Sequence, residues 1–238
     1  MTNEVKKLKE LIEGTDNIVF FGGAGVSTES GIPDFRSTDG LYHQEWKYPP
    51  EVILSHTFYE SNPAEFFRFY RAKMLAPDAK PNAAHLKLAE WEAQGKLRAI
   101  VTQNIDNLHQ MAGSRRVYEL HGSVHRNYCE KCGKFHGFEF ILNSTGVPRC
   151  ACGGTVKPDV VLYEEGLDQA TIQGAVEAIA RADVLIIGGT SLNVYPAAGL
   201  INYYRGSKLV LVNKSAVARD LTAGLVIRDP IGEVFSQL

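Results

Sequence analysis

His121 directly follows a short strand-like run at residues 117–120 and is followed at once by Gly122. Its unperturbed pKa near neutrality lets an imidazole at a strand end accept a proton from a hydroxyl at working pH. The other histidines, at 43, 56, 85, 109, 125 and 136, have no comparable company and read as surface or structural residues. A second chemistry is written in Gly22-Gly23-Ala24-Gly25. Gly23 and Gly25 remove side chains where backbone approaches a pyrophosphate, and a helix opening near Val26 to Thr28 would aim unpaired N–H groups at that anion. The third is a thiolate cluster: Cys129-x2-Cys132 and Cys150-x-Cys152 are separated by seventeen residues, with glycine directly after each pair. Two such hooks supply a tetrahedral zinc site, and four thiolates leave no open position, so the metal would be structural. The single residue inside the second hook demands a tighter turn than usual. Free buried thiols or a redox pair are the competing explanations.

These groups need a scaffold that brings them together. Residues 17–21 form a β-favouring run stopped by glycines, which reads as a buried strand entering a tight turn. The usual dinucleotide fingerprint would place a third glycine where this chain has Thr28, and an acidic residue some way on at the end of a second strand; neither is present. Two glycines in a strand-to-helix turn also occur for purely steric reasons. Further strands are expected at 98–102, 117–120, 159–163, 183–187, 208–212 and 225–228, with helices at the N-terminus and near 64–75, 82–95, 169–181, 195–204 and 231–238. Polar or glycine-rich residues follow several strands: Gln103-Asn104-Ile105-Asp106, His121-Gly122, Gly188-Gly189-Thr190-Ser191 and Asn213. In open α/β sheets that carboxyl edge is where ligands bind.

The alternation predicts an α/β fold: a doubly wound, Rossmann-like parallel sheet covered on both faces, with a smaller zinc ribbon plus helical module inserted. The dinucleotide-binding part is expected at 1–36, 76–122 and 157–238, a helical or lid module at 37–75, and the ribbon at 123–156. The lid stretch 37–61 is rich in Tyr, His, Trp and Pro without a clean period. Phe66, Phe67, Phe69 and Tyr70 wrap more than one face of the following helix, a packing pattern.

The chain of 238 residues, 45% apolar and 22% charged with a formal net charge of −2, can bury a full core and carries no global field directed at nucleic acid or an anionic membrane. The longest apolar runs are strand-length, and Val5, Leu8, Leu11 and Ile12 make the N-terminus an amphipathic helix rather than a signal peptide. A cytoplasmic protein with no direct nucleic-acid or membrane partner is expected. Reducing conditions would keep the clustered cysteines as thiols.

Taken in order, GAGVS at 23–27, GIPDFRS at 31–37, TQNID at 102–106, HG at 121–122, the four cysteines, GTSLNVYP at 189–196 and VN at 212–213 resemble the sirtuin family across nearly the whole chain. The resemblance implies an NAD-dependent protein lysine deacetylase. In such enzymes the acetyl oxygen of an acyl-lysine attacks the nicotinamide-bearing ribose carbon, an alkylimidate follows, and deacetylated lysine, nicotinamide and O-acetyl-ADP-ribose are the products. NAD is then a co-substrate and zinc a structural ion. By the same resemblance His121 is the general base on the ribose hydroxyls, and Gln103 and Asn104 reach those hydroxyls and an ordered water. Asp106 and the Ile105 backbone would hold the nicotinamide carboxamide, and Phe35 would shield the ribose carbon from water. Ala24, Thr28, Arg36, Gly189, Thr190 and Ser191 would meet the phosphates and nearby sugar, Gly23 and Gly25 lining the same turn. Asn213 would meet the adenosine ribose, and Ile231 the adenine.

Residues 157–165 resemble the family's peptide-pairing segment, with Val160 and Val161 against the acyl-lysine channel. Lys157, Tyr163 and Glu164 replace the arginine, phenylalanine and glycine often found there. Glu164 and Glu165 would favour basic sequence around the lysine or simply face solvent. Sirtuins that remove acidic acyl groups carry a Tyr-x-x-Arg pair where this chain has Phe67 and Tyr70, so uncharged acyl groups are expected; Tyr70-x-x-Lys73 is a shifted near-match. Rival functions are a mono-ADP-ribosyltransferase using the same NAD site, a non-catalytic NAD-sensing zinc-ribbon module, and a nicotinamide-dependent dehydrogenase.

Overall fold

The computed structural model describes residues 1–34, 40, 46–217 and 222–238. Its strands are β1 (Ile18–Gly22), β2 (Leu97–Thr102), β3 (Val117–Glu119), β4 (Gly122–Cys129), β5 (Phe135–His136), β6 (Val156–Val160), β7 (Val184–Gly188), β8 (Lys208–Val212) and β9 (Leu225–Ile227). Its helices are α1 (Asn3–Glu13), α2 (Pro50–Ile53), α3 (His56–Ser61), α4 (Pro63–Lys73), α5 (Ala83–Ala93), α6 (Leu108–Met111), α7 (Phe138–Leu142), α8 (Gln169–Arg181) and α9 (Ile231–Phe235).

Six strands form one sheet in the order β3-β2-β1-β7-β8-β9, and every neighbouring pair is parallel. The order reverses between β1 and β7, the doubly wound arrangement whose switch point opens a crevice at the strand ends. Side-chain alternation explains why these strands read as unbroken apolar runs. Ile18 and Phe20 of β1 pack with Val5, Leu8, Leu88, Trp91 and Phe235 on one face, while Val19 and Phe21 pack with Ala175, Ile179, Leu200 and Ile201 on the other. With both faces covered, no position along β1 can be polar.

A second, three-stranded sheet, β5-β4-β6, is antiparallel. The strand expected at 159–163 belongs here, as Val156–Val160, and not to the parallel sheet. The physical signals are local. Its burial alternates, as in a sheet with one wet face, and Pro158, which lacks an amide hydrogen, is tolerated on an edge strand. The chain then leaves β6 by a turn: Glu165 N–H donates to the Leu162 carbonyl at 3.0 Å, and Glu164 has φ +76°. Other expected helices are shorter or tighter: residues 197–203 form a 3-10 helix, and the last helix ends at Phe235.

Phe66, Phe67, Phe69 and Tyr70 of α4 are all buried, sharing one core with Ile53, Tyr59, Val124, Ile141, Val156 and the cysteines 129 and 150. The aromatic positions wrap α4 because helices and cysteine-bearing strands press on it from several sides. At roughly 1.5–3 kcal/mol for each fully buried large side chain, α2–α4 and the small sheet depend on each other. No helix among the described residues is long and apolar enough to cross a membrane.

Candidate active site

Gly22, Thr102, Glu119, Gly188, Val212 and Ile227 stand in one register row at the carboxyl edge of the parallel sheet. The loops after these residues therefore start at the same level. Between them lies a cleft of about 830 Å³. Its lining includes Gly23, Ala24, Gly25, Thr28, Gln103, Asn104, Ile105, Asp106, His121, Val160, Val161, Gly189, Thr190, Ser191, Asn213 and Ile231. Phe35 and Arg36 lie outside the described residues.

At the switch point two glycine turns clasp each other. Gly23 N–H donates to the Gly188 carbonyl at 3.2 Å and Gly25 N–H to the Gly189 carbonyl at 2.7 Å. A Cβ at Gly23 would lie 2.8 Å from the Thr190 Cβ, and one at Gly25 2.8 Å from the Gly189 Cα. Gly189 itself has φ +58° and would strike Val26 with any side chain. The glycines are thus required by loop-to-loop contact, and the bare backbone they leave is also the floor of the cleft. The expected helix from Val26 to Thr28 is absent; in its place are two 3-10 turns, Ala24–Val26 and Thr28–Ser30, halted by Gly31 at φ +83°. Thr28 Oγ1 donates back to the Gly25 carbonyl at 3.0 Å, which favours the tight turn over a continuing helix.

Ser27, only 1% exposed, joins this loop to the end of β2. Its hydroxyl donates to Asp106 Oδ2 at 2.6 Å and accepts from Asn104 Nδ2 at 3.1 Å. Asp106 Oδ1 also accepts the Leu108 amide at 2.9 Å. Below Ser27 sits buried His85, part of the capping box that starts α5: its Nδ1 accepts the Asn82 amide at 3.2 Å. Burial, opposed by the Asp106 carboxylate, brings the His85 pKa down to about 4, so the ring is neutral. Asn82 Nδ2 donates to the Val26 carbonyl at 2.8 Å and to Ser30 Oγ at 3.0 Å, pinning the glycine loop from beneath. Glu29 Oε2 accepts the Gly232 amide at 2.7 Å and ties the loop to α9. Sequence reasoning alone does not single out Ser27, Asn82 or Glu29. Ser27 lies inside GAGVS, and Asn82 with His85 three residues on has the spacing of a capping box; nothing local announces Glu29.

His121 Nδ1 lies 2.9 Å from the Gln103 carbonyl. A carbonyl only accepts, so Nδ1 carries the proton and the neutral ring keeps a lone pair on Nε2. Burial lowers the His121 pKa below its usual 6.5, partly offset by the bond to Gln103. The same Gln103 donates through Nε2 to Thr190 Oγ1 at 2.9 Å, and the Thr190 amide donates to Asn213 Oδ1 at 3.0 Å. One polar chain thus runs from His121 to Asn213 across the ends of four strands.

Val161 N–H donates to the His121 carbonyl at 3.0 Å, tying the segment of Val160 and Val161 to the backbone of His121 on the same cleft. The backbone of Tyr163 is spent on the helical module, its N–H on the Leu54 carbonyl and its carbonyl on the His56 amide, both at 3.0 Å. Glu164 and Glu165 are latches rather than a free acidic patch. Glu164 Oε2 accepts from the Thr57 amide and hydroxyl at 2.9 and 2.7 Å, and Glu165 meets His56 at 2.9 Å and Lys157 at 3.2 Å.

The four cysteine Sγ atoms lie within 4.8 Å of one another. Each hook closes in the same way: Gly133 N–H donates to the Cys129 carbonyl and Gly153 N–H to the Cys150 carbonyl, both at 2.8 Å, with φ of +70° and +82°. The one-residue spacing of the second hook is accommodated because Gly153 takes the same left-handed turn as Gly133. A Cβ at Gly154 would come within 2.7 Å of Cys129 Sγ, so the cradle admits no side chain there. Thiols this close do not all ionise unaided. Against burial, the Cys132 and Lys131 amides bring Cys129 to about 6; the Lys134 amide also favours the Cys132 thiolate, but the neighbouring sulfurs push it up to about 12. A divalent soft-ligand cation removes that conflict, and the donor set and spacing fit zinc, held by Cys129, Cys132, Cys150 and Cys152.

A parallel sheet wound outwards from β1, a side-chain-free turn at its switch point and a neutral histidine over the same cleft define a nucleotide-binding α/β protein with a thiolate-clamped module. The Sir2 family model matches residues 23–196. Relatives named NAD-dependent protein deacetylase from Clostridium acetobutylicum and Clostridium perfringens are each 62% identical to this chain. The alignments cover 98% and 100% of this chain and 97% and 99% of theirs. A solved structure of Sir2 with p53 peptide and NAD+ matches with a TM-score of 0.87 at 39% identity, over 100% of this chain and 97% of that one. Another, of a Sir2 variant with deacetylated p53 peptide and 3′-O-acetyl ADP ribose, gives 0.90 at 39% identity over 98% and 96%. The chain belongs to the Sir2 family, the sirtuins.

Proposed function

We propose that this protein is an NAD-dependent protein lysine deacetylase whose base is His121. The carrying observation is the 2.9 Å contact that fixes its Nδ1 proton on Gln103 and leaves Nε2 basic in the cleft shared with both glycine turns. Bound NAD supplies an electrophilic ribose carbon once nicotinamide departs, to be met by the acetyl oxygen of the substrate lysine. The chain's own residues do the rest. Asp106, held by Ser27 and the Leu108 amide, and the Ile105 backbone orient the nicotinamide carboxamide. Asn104, with its amide nitrogen on Ser27, presents its carbonyl oxygen to a ribose hydroxyl or water. His121 Nε2 takes the proton from a ribose hydroxyl. Gly23, Ala24, Gly25, Thr28, Gly189, Thr190 and Ser191 offer backbone and hydroxyl donors to the phosphates, while Asn213 and Ile231 border the adenosine end. Phe35 and Arg36 keep their sequence-derived roles as ring shield and anion partner. Val160 and Val161 receive the peptide and its lysine. An acyl-lysine protein or peptide is the substrate, and a cytoplasmic location fits that role.

Release of nicotinamide from NAD, followed chromatographically with and without an acetyl-lysine peptide, tests the reading. Dependence on the acetylated peptide is expected. Equal release with an unacetylated peptide would assign the protein to ADP-ribosyl transfer instead.

Two further outcomes follow. Because burial lowers the His121 pKa and the base must be unprotonated, kcat/KM is expected to hold as pH falls from 8 and to decline only below 6.5. A pH–rate profile with its acid inflection above 6.5 would contradict the assignment. Acyl choice follows from α4: Phe67 and Tyr70 are 0% exposed and do not reach the cleft, and Lys73, which does line it, carries a point-charge ammonium in place of the planar guanidinium fork that grips a carboxylate bidentately. A desolvated carboxylate without a matched partner costs several kcal/mol, so succinyl-lysine peptide should turn over about 100-fold more slowly than acetyl-lysine peptide. Comparable kcat/KM values on the two peptides would refute this.

A further inference from the structure

His121 occupies a two-residue hinge. Glu119 closes the edge strand of the parallel sheet, Gly122 opens the small antiparallel sheet, and only Leu120 and His121 lie between. Gly122 has φ +75°, and a side chain there would collide with the Asp159 carbonyl of β6, so the chain enters the small sheet pressed closely against its neighbouring strand. A hinge this short is oriented only if something outside it fixes the angle between the sheets.

Arg126 is placed to do so. Ser123 pairs with Asp159 and Asn127 with Pro158, so Val124, His125 and Arg126 bulge out of β4 opposite β6. The bulge turns the Arg126 side chain back over the hinge. Its Nη1 donates to Glu119 Oε2 at 2.6 Å and its Nε to Asp159 Oδ2 at 2.7 Å. The Glu119 side chain is 7% exposed, and an ionised carboxylate so enclosed needs its cation. One carboxylate lies two residues before His121; the other is next to Val160 on the wall proposed to receive the peptide. Only a planar fork spans both at these distances, which a lysine ammonium does not reproduce.

We propose that Arg126 is a positioning residue that sets His121 and the peptide-receiving strand in register with each other, His121 through Glu119 and Val160 through Asp159. This rests on the deacetylase reading above. The glycine turns and the adenosine end of the cleft lie on other strands, so NAD affinity should not follow Arg126.

The test is steady-state deacetylation of an acetyl-lysine peptide by the full chain, varying peptide and NAD in turn. In Arg126→Met, kcat should fall and peptide KM rise, each about tenfold, with the NAD KM within twofold of wild type. Glu119→Gln should reproduce the fall in kcat and Asp159→Asn the rise in peptide KM. Arg126→Lys should recover less than half of either loss on a logarithmic scale. Unchanged kcat and peptide KM in Arg126→Met, or losses in which the NAD KM rises in proportion alongside a lower Tm, would overturn the proposal, since either marks a purely structural residue. Should Arg126→Met fail to fold, the two carboxylate variants decide: both shifting the same parameter, or neither shifting any, overturns it. An inactive wild type would overturn the deacetylase reading and this inference with it, whereas an active wild type beside unaltered variants overturns this inference alone.

Discussion

Replacing His121 by alanine is expected to lower the deacetylation rate about 10³-fold while NAD binding stays within a few-fold of wild type, because the loss is that of a positioned general base. The asymmetry follows from the geometry. Among the described residues the imidazole is held through Nδ1 on the Gln103 backbone carbonyl, so removing the ring leaves the Gln103–Thr190–Asn213 chain intact. The glycine turns are held by their own backbone bonds. Isothermal titration with NAD beside single-turnover assays separates the two quantities. An alanine variant with more than a tenth of wild-type turnover would take the base assignment away from His121.

The second large effect concerns the cysteines. A four-thiolate zinc site contributes about 10–16 kcal/mol of binding energy, and where the site forms only on folding that energy supports the fold. Here Cys129 and Cys150 are embedded in the same core as Phe66, Phe67, Phe69 and Tyr70. Metal removal should therefore loosen α2–α4 together with the small sheet, while the parallel sheet, whose two cores contain no cysteine, keeps its structure. The expected result of chelation, or of Cys150→Ser, is loss of one zinc per chain, an unfolding transition split in two, and loss of deacetylation. Full activity after complete removal of zinc would contradict the structural role, and a single cooperative transition would contradict the independence of the two parts.

Much of this architecture was legible because it is local. The apolar run of β1 implied a strand covered on both faces, and residues 169–181 carried a helix whose bounds the structure reproduces. The strands' polar ends pointed to one ligand-bearing edge. What escaped depends on contacts between distant segments. Ser27 and Asp106 are 79 positions apart, and only the parallel register of β1 with β2 brings them to 2.6 Å. The glycines suggested bare backbone for a phosphate, but their collision partners, Gly189 and Thr190, belong to the loop after β7. The strand expected at 159–163 in the parallel sheet runs instead from Val156 to Val160 in the small one, where Pro158 and the alternation of apolar and polar residues mark an antiparallel edge. Glu164 and Glu165 looked like a solvated or substrate-facing pair until Thr57, His56 and Lys157 occupied them.

The most direct measurement is mass spectrometry of an acetyl-lysine peptide incubated with the protein, with and without NAD, and in parallel with the His121→Ala variant. The account predicts a peptide lighter by one acetyl group only when NAD is present, with O-acetyl-ADP-ribose and nicotinamide formed in equal amounts, and almost none of the three with the variant. Free acetate in place of the acetylated ADP-ribose, or peptide gaining ADP-ribose while keeping its acetyl group, would contradict it.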